Sequence, residues 1–348
     1  MLLQLGILIW GLYKMKAFVL SSYIVFQIVG AVAVIRIVLN HKNPSYKIAW
    51  IAVILLIPIL GLVFYLMWGR GSYPSRIKKH IPVLSEMTIP LYEHSRETET
   101  LLAEQYPEQE RIMNYLHRAG FPIYRETSVR YFDLGDKFFP ALIEDMRKAE
   151  KFIFLEYFIV EKGYMWAKVL EVLQRKVAEG VEVRLMYDGT CAFNYLPYRY
   201  PDEIKKMGIQ CKMFSPILPI LSTHYNNRDH RKILVIDGKV GFTGGVNIGD
   251  EYINRRAPFG HWKDTAIMLE GDGVEGLTQM FLQMWNVTEK CEDFGKYLQK
   301  ENCGIQDDSG FILPFGDSPF DRELIGETVY MDIINRAEDY VHIMTPYL

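Results

Sequence analysis

Three side chains that could handle a phosphate group lie close together in the second half of the sequence. His230, Lys232 and Asp237 occur in the string Arg228-Asp-His-Arg-Lys-Ile-Leu-Val-Ile-Asp-Gly238, which predicts a strand that runs into an Asp-Gly turn. Residues two apart on a strand point to the same face, so His230 and Lys232 share a face. Both are costly to bury without a partner. Standing alone, the pair would more simply be solvated on an edge strand.

The residues after the turn favour a phosphate site over a solvated pair. A return strand, 239–243, is followed by Gly244, Gly245 and Asn247. In a phosphate site, Lys232 would supply positive charge to the phosphoryl oxygens. The Asn247 amide and the backbone of the two glycines would donate further hydrogen bonds. The whole string therefore predicts a site that binds a phosphoryl group.

The remaining candidates complete a catalytic arrangement. His230 is placed to attack phosphorus and form a covalent phosphohistidine. Asp237 has the opposite parity but lies at the turn, where it could orient or support the loop, and it is taken as the third catalytic residue. Glu156 ends an apolar stretch, Leu-Glu-Tyr-Phe. Its carboxylate could hold an active-site histidine in one tautomer, or could be satisfied by backbone at the strand end.

The elements that must position these groups follow an α/β pattern. Residues 138–150 have helical periodicity, and Phe152–Val160 reads as a buried strand. Met165–Glu179 is an amphipathic helix that ends at a glycine, and Val181–Tyr187 is a second strand. A strand, a helix and a strand in this order predict parallel pairing with a right-handed crossover. Asp188, in the Asp-Gly pair that follows, is predicted simply to form a turn.

Two long apolar runs precede this region. Phe18–Leu39 has 22 residues and Ile48–Trp68 has 21, with Arg36 as the only charge in either. At about 1.5 Å per residue, each would span roughly 30 Å, enough to cross a bilayer core. The polar segment 40–47 would make them a hairpin, although two buried core helices are the alternative. Basic residues are more frequent on the outer flanks than in the turn, which predicts that the following domain faces the cytoplasm.

The rest of the chain is divided by composition and by one repeat. Residues 1–70 are the predicted membrane anchor, and 71–125 a connecting region with short helices. The segment 126–325 is the predicted catalytic domain. Ala149-Glu-Lys-Phe-Ile-Phe-Leu-Glu-Tyr-Phe158 resembles Ala337-Glu-Asp-Tyr-Val-His-Ile-Met-Thr-Pro-Tyr347, so 326–348 is expected to begin a second, truncated copy.

The net charge of −3 argues against a globally basic nucleic-acid binder. Four cysteines without Cys-x-x-Cys spacing are expected to be reduced.

The motif identifies a family. His230-x-Lys232-x4-Asp237-x6-Gly244-Gly245-x-Asn247 resembles the signature of the phospholipase D superfamily. Further segments resemble bacterial cardiolipin synthases, from about residue 18 to the end. These are Asn43-Pro44, Ala49-Trp50, Pro58-Ile-Leu-Gly61, Gly69-Arg70, Asn227-Arg-Asp-His-Arg-Lys-Ile, Gly244-Gly-Val-Asn-Ile-Gly-Asp-Glu-Tyr252 and Trp262-Lys-Asp-Thr265.

The resemblance implies phosphatidyl transfer between phospholipids without a metal or other cofactor. Two phosphatidylglycerols would give cardiolipin and glycerol at a bacterial cell membrane, and His230 would match the nucleophile. Such enzymes use a second His-x-Lys motif for acid–base chemistry, and no second His-x-Lys-x4-Asp string occurs here. A longer parent protein is expected, with a homodimer as the alternative. Phospholipid hydrolysis, phosphatidylserine synthesis, DNA phosphodiester cleavage and an inactive membrane scaffold are the rival functions.

Other polar residues offer weaker hypotheses. His224, with Asp229 and His230, suggests a metal hydrolase, but Lys232 would repel a cation beside His230. Three basic residues after the motif could hold an anionic headgroup or simply lie in a solvated loop: Arg255, Arg256 and Lys263.

Overall fold

The computed structural model describes residues 2–40, 44–69, 89–216, 228–258, 260–287, 293–298, 310–317 and 324–345. The chain divides into two compact units. One comprises residues 1–72 with 218–226, and the other comprises 73–217 with 227–348.

The N-terminal unit is helical. Helix α1 covers Leu2–Val38, α2 covers Pro44–Leu56 and α3 covers Pro58–Phe64, with one π-helical turn after it at Tyr65–Gly69. The prediction of one helix over 48–68 is wrong. A proline has no N–H to donate and clashes with the preceding turn, so the helix ends before Pro58 and a new one starts there.

Membrane crossing was the second expectation for this unit. Among the described residues, no helix combines the length and the apolar composition needed to cross a membrane.

Many of the described apolar side chains of this unit lie outward. A small cluster of Ala33, Ile37, Ile54 and Leu62 is buried. Large apolar side chains that are exposed on α1, α2 and α3 include Ile24, Ile28, Ile35, Leu55, Leu60 and Val63. The unit thus presents an apolar surface.

The first described elements of the second unit are two helices. Helix α4 covers Ile89–Gln105 and α5 covers Glu110–Arg118, with a short 3-10 turn between them. Near the end of the chain, helix α11, Ile325–Arg336, packs against α5 through Ile325, Val329 and Leu116. Residues 337–345, where the repeat predicts a strand, form no strand. A strand is stable only beside a partner, and none of the described strands pairs with this segment.

A seven-stranded mixed sheet forms the centre of the second unit. The strands are β1 (Thr127–Phe132), β2 (Phe152–Tyr157), β3 (Glu182–Asp188), β4 (Gln210–Phe214), β5 (Lys232–Ile236), β6 (Val240–Gly244) and β7 (Ala266–Gly271). Their order is β1-β7-β6-β5-β2-β3-β4. Strands β2, β3 and β4 run parallel, whereas β5 pairs antiparallel with β2 and with β6. The parallel pairing of β2 with β3 confirms the prediction from the sequence.

Helices cover both faces of the sheet. Helix α6 (Gly135–Lys148) and helix α7 (Tyr164–Ala178) pack on one face, together with the short helices α8 (Cys191–Asn194) and α9 (Tyr200–Lys205). Helix α10 (Val274–Asn286) packs on the other. The α/β class is confirmed in this form, a mixed sheet flanked by helices. Both faces are buried, which explains the continuous apolar sequence of β2.

The register between β2 and β5 decides which side chains meet. Tyr157 is opposite Lys232, and Glu156 is opposite Ile233. Since paired residues share a face, Lys232 lies on the α6/α7 side of the sheet. Glu156 and Ile233 lie on the α10 side.

Candidate active site

The candidate site lies at one edge of the sheet. Strand β2 ends at Tyr157 and β3 ends at Asp188, whereas the antiparallel β5 begins at Lys232. The carboxyl ends of two parallel strands and the segment 228–231 thus meet at the same edge. This is the position at which α/β sheets commonly bind ligands.

His230 and Lys232 are in contact at this edge. Lys232 Nζ lies 3.1 Å from His230 Nδ1 and donates a hydrogen bond to the His230 carbonyl oxygen at 2.5 Å. Lys232 is buried, whereas His230 is exposed. A buried ammonium with an open imidazole beside it can contact a ligand oxygen and a ligand phosphorus at once.

An aromatic ring supports the pair. The Phe158 ring lies 4.5 Å from the His230 ring between centroids. Lys232 Nζ lies 5.4 Å from the centre of the same ring. A cation over an aromatic face is attracted by the ring quadrupole. Phe158 therefore contacts both members of the pair, and the sequence analysis gave it no role.

The protein environment lowers the pKa of both His230 and Lys232. Partial desolvation by the groups packed around the imidazole lowers the pKa of His230, and the Lys232 ammonium lowers it further, against opposing effects of Asp229 and Asp188. Burial lowers the pKa of Lys232 to about 8, although the carboxylates of Asp264 and Asp229 favour its charged form. At neutral pH the histidine is thus neutral while most of the lysine keeps its charge.

Asp237 lies away from this pair. At about 3.3 Å per residue along β5, it is roughly 16 Å from Lys232. Its carboxylate accepts three backbone N–H bonds, from Glu150 and Lys151 at 2.7 Å each and from Phe152 at 2.8 Å. The residue has a positive φ of 54° at the turn into β6. Asp237 therefore supports the loop between α6 and β2, and the structure does not bring it to the predicted catalytic triplet.

The two glycines allow a close approach to the residues that lead into β7. A Cβ on Gly245 would lie 1.8 Å from Asp264 Oδ1, and one on Gly244 would lie 2.5 Å from the Thr265 carbonyl oxygen. The Gly245 N–H donates to that same carbonyl at 2.9 Å. Because this N–H is already used, the prediction that it donates to phosphate is wrong for this structure.

Asn247 is also committed to the protein. Its side chain is buried, and its Oδ1 accepts a hydrogen bond from the Ile159 N–H at 3.0 Å. Its Nδ2 donates to the Tyr252 hydroxyl at 3.0 Å. Asn247 thus connects the segment after β2 to the loop after β6, instead of presenting its amide to a ligand as predicted.

Glu156 contacts an arginine and not the histidine. Its carboxylate lies on the α10 side of the sheet and is 2.5 Å from Arg231 Nη2. Of the two alternatives for Glu156, the contact with His230 is not formed, because the register with β5 places Glu156 opposite Ile233, on the face away from Lys232.

Comparisons with known proteins agree with the motif. The family model described as "Cardiolipin synthase, PLD-like domain" matches residues 142–285, and "Phospholipase_D-nuclease N-terminal" matches residues 25–70. A cardiolipin synthase from Halalkalibacterium halodurans is 32% identical over 99% of this chain and 70% of its own length. The chain belongs to the cardiolipin synthase family. A second cardiolipin synthase, from a Geobacillus strain, is 34% identical over 89% of this chain and 62% of its own length.

Relatives in the family are longer than this chain. An uncharacterized protein of Streptococcus mutans is 47% identical over 91% of this chain and 68% of its own length. The chain therefore spans about two thirds of the length of these three relatives. A solved phospholipase D family member, Nuc from Salmonella typhimurium, aligns over 46% of this chain and 93% of its own, at 15% identity and a TM-score of 0.35.

The cardiolipin synthase domain contains a buried ionic group that the sequence analysis missed. Asp188 is fully buried, and its carboxylate accepts hydrogen bonds from the N–H groups of Thr190 and Asp229 and from the Arg228 guanidinium. Asp229 is buried too. The available signal was the string Arg-Asp-His-Arg, in which three charged residues surround the histidine at the start of an apolar strand.

Two of the other basic candidates make contacts within the protein. Arg256 pairs with Glu161 and Glu251, and the Arg255 guanidinium lies over the Tyr164 ring, so both are engaged within the protein. Lys263 is exposed. His224 lies outside the described residues. Within the described part of the chain, no cluster of three or more His, Cys, Asp or Glu side chains has the arrangement of a metal site.

Proposed function

We propose that this chain carries out phosphatidyl transfer between phospholipids, in which two phosphatidylglycerols give cardiolipin and glycerol. One observation carries the proposal: the exposed imidazole of His230 lies 3.1 Å from the buried Lys232 Nζ, within the region that matches the cardiolipin synthase domain. Relatives named cardiolipin synthase support the choice of lipid substrate.

The proposed reaction starts at His230. The imidazole attacks phosphorus, a P–N bond forms, and the P–O bond to the departing glycerol breaks. Lys232 moves from Nδ1 to a phosphoryl oxygen, which frees the imidazole lone pair and offsets the charge that develops in the transition state. The glycerol hydroxyl of a second phosphatidylglycerol then attacks phosphorus and releases His230.

The leaving alkoxide needs a proton, and the incoming hydroxyl must lose one. We propose that a second half-site supplies a histidine for both transfers, since a group with a pKa near neutral can act in both directions. A homodimer, in which two copies face each other, is one way to supply it. Sedimentation of the whole chain with and without substrate lipid measures whether two copies associate.

Membrane association is part of the proposal. The N-terminal unit exposes apolar side chains on its helices and matches the family's N-terminal model over residues 25–70. Such a surface binds the acyl region of a bilayer in proportion to the apolar area buried. We propose that this unit attaches the chain to membranes that contain phosphatidylglycerol and other anionic phospholipids. That the catalytic domain faces the cytoplasm remains a prediction from the charged flanks.

Product analysis tests the proposed reaction. The whole chain is incubated with vesicles of phosphatidylglycerol labelled in the headgroup, and the lipids and free glycerol are separated. We expect cardiolipin and free glycerol in equal amounts. Phosphatidic acid without cardiolipin would indicate hydrolysis instead. Phosphatidylserine formed only when serine is added would indicate a different acceptor. No turnover under any condition would favour a membrane scaffold.

The pKa values predict how the reaction depends on pH. The nucleophile must be neutral and the lysine must be charged, so kcat/KM should fall below the lowered pKa of His230 and above pH about 8. A guanidinium keeps its proton far above pH 8. Lys232→Arg should therefore remove the alkaline fall, at the cost of a lower maximum. An alkaline fall that stays at the same pH in Lys232→Arg would assign it to another group.

A further inference from the structure

Buried charged groups hold the chain on both sides of His230. Before it, Arg228 Nη1 lies 3.3 Å from Asp188 Oδ1 and donates to the Ser215 carbonyl oxygen at 3.1 Å. The Asp229 N–H donates to Asp188 Oδ2 at 3.1 Å. The Asp188 carboxylate therefore fixes two successive residues that lead into the histidine.

After His230, the chain is held by a second carboxylate. Arg231 Nη2 lies 2.5 Å from Glu156 Oε1 and Arg231 Nε lies 3.4 Å from Asp229 Oδ1. Glu156 is fully buried, and Asp229 is nearly so. Arg231 lies between His230 and Lys232 in sequence, so its side chain leaves the strand on the opposite face.

We propose that Asp188, Glu156 and Arg231 are positioning residues, which together hold His230 and Lys232 in the geometry that the reaction needs. Arg231 is drawn to the α10 side by Glu156, so its two neighbours are turned to the other side, where they contact each other. His230 is the residue of segment 228–231 whose side chain is left exposed. This inference rests on the proposed function and deepens it.

A contribution to stability does not by itself explain why these charged residues are buried together. Buried ion pairs contribute little net stability, because desolvation of the charges offsets their attraction, and apolar replacements of both partners are often neutral. Burial raises the pKa of Glu156 well above its ordinary value, with Arg231 opposing the rise and Asp229 adding to it. Substitution of only one of these residues would leave the opposite charge buried without its partner. A test of positioning must therefore remove the interacting charges as a unit.

The test variant is the triple substitution Glu156→Leu, Asp229→Asn and Arg231→Met in the whole chain, because Arg231 also lies 3.4 Å from the buried Asp229 carboxylate and all three charges must be removed together. We expect a thermal midpoint within about 5 °C of the parent. We also expect kcat for cardiolipin formation to fall about 100-fold with little change in KM, because small misplacements of reacting groups have effects of that size. The ring signals of His230 in NMR spectra, identified by their loss in a His230 variant, should shift in pKa or tautomer.

A matched control removes an exposed pair. Lys168 and Glu171 lie 2.8 Å apart on the surface of α7. The double substitution Lys168→Met with Glu171→Leu should leave kcat and the His230 signals unchanged.

A second variant tests the same proposal if the first does not fold. Arg231→Lys keeps the positive charge beside Glu156 but cannot reach two carboxylates with one planar fork. We expect about tenfold lower kcat with the fold retained. A folded variant of either kind with parental kcat and unchanged His230 signals would overturn the proposal. If the parent chain makes no cardiolipin, the proposed function fails, whereas the NMR comparison still decides the positioning role.

Discussion

Substitution of His230 by glutamine should reduce cardiolipin formation by about four orders of magnitude or more, since the covalent route has no other nucleophile. Glutamine keeps a polar side chain of similar size, and His230 is exposed, so the fold should be unaffected. Turnover of phosphatidylglycerol vesicles measures the loss, and circular dichroism checks the fold.

The covalent intermediate gives a second measurement of the same prediction. The parent chain is mixed briefly with phosphatidylglycerol, quenched at neutral or alkaline pH because the P–N bond is labile in acid, digested and analysed by mass spectrometry. We expect the phosphatidyl adduct on His230. His261 is the matched control, because it is exposed and also stands two residues before a lysine. An adduct on another histidine, or undiminished turnover in the glutamine variant, would refute the assignment.

Substitution of Asp237 by alanine should lower the free energy of unfolding by about 3 kcal/mol, because three N–H groups lose a charged acceptor. Alanine is also strained at the positive φ of this position. Denaturant unfolding of the whole chain, monitored by circular dichroism of the sheet and helices, measures the change.

The asparagine variant separates support from catalysis. Asparagine tolerates the positive φ and keeps one oxygen as an acceptor, so Asp237→Asn should cost only about 1 kcal/mol. Its kcat should stay within about threefold of the parent, since Asp237 is roughly 16 Å from Lys232. A folded asparagine variant as inactive as the His230 variant would return Asp237 to the catalytic group.

Local periodicity predicted much of the fold. The apolar runs and the amphipathic stretch between them predicted β2, α7 and β3 and their parallel pairing, because these patterns depend only on residues near one another in sequence. The same reasoning failed at Pro58, where one residue ended a helix that the apolar run alone would have continued. The Asp-Gly turn and the shared face of His230 and Lys232 were equally local, and both were found.

The sequence by itself determined that an imidazole and an ammonium meet at the start of β5, because strand geometry fixes neighbours two residues apart. Tertiary structure alone decided what surrounds them. Asp237 binds backbone some 86 residues earlier in the chain, and Glu156 on β2 contacts Arg231, the residue before β5. Such partners depend on which strands become neighbours and in which register. No spacing within β5 contains that information, because the energy that selects them comes from burial of both faces of the sheet.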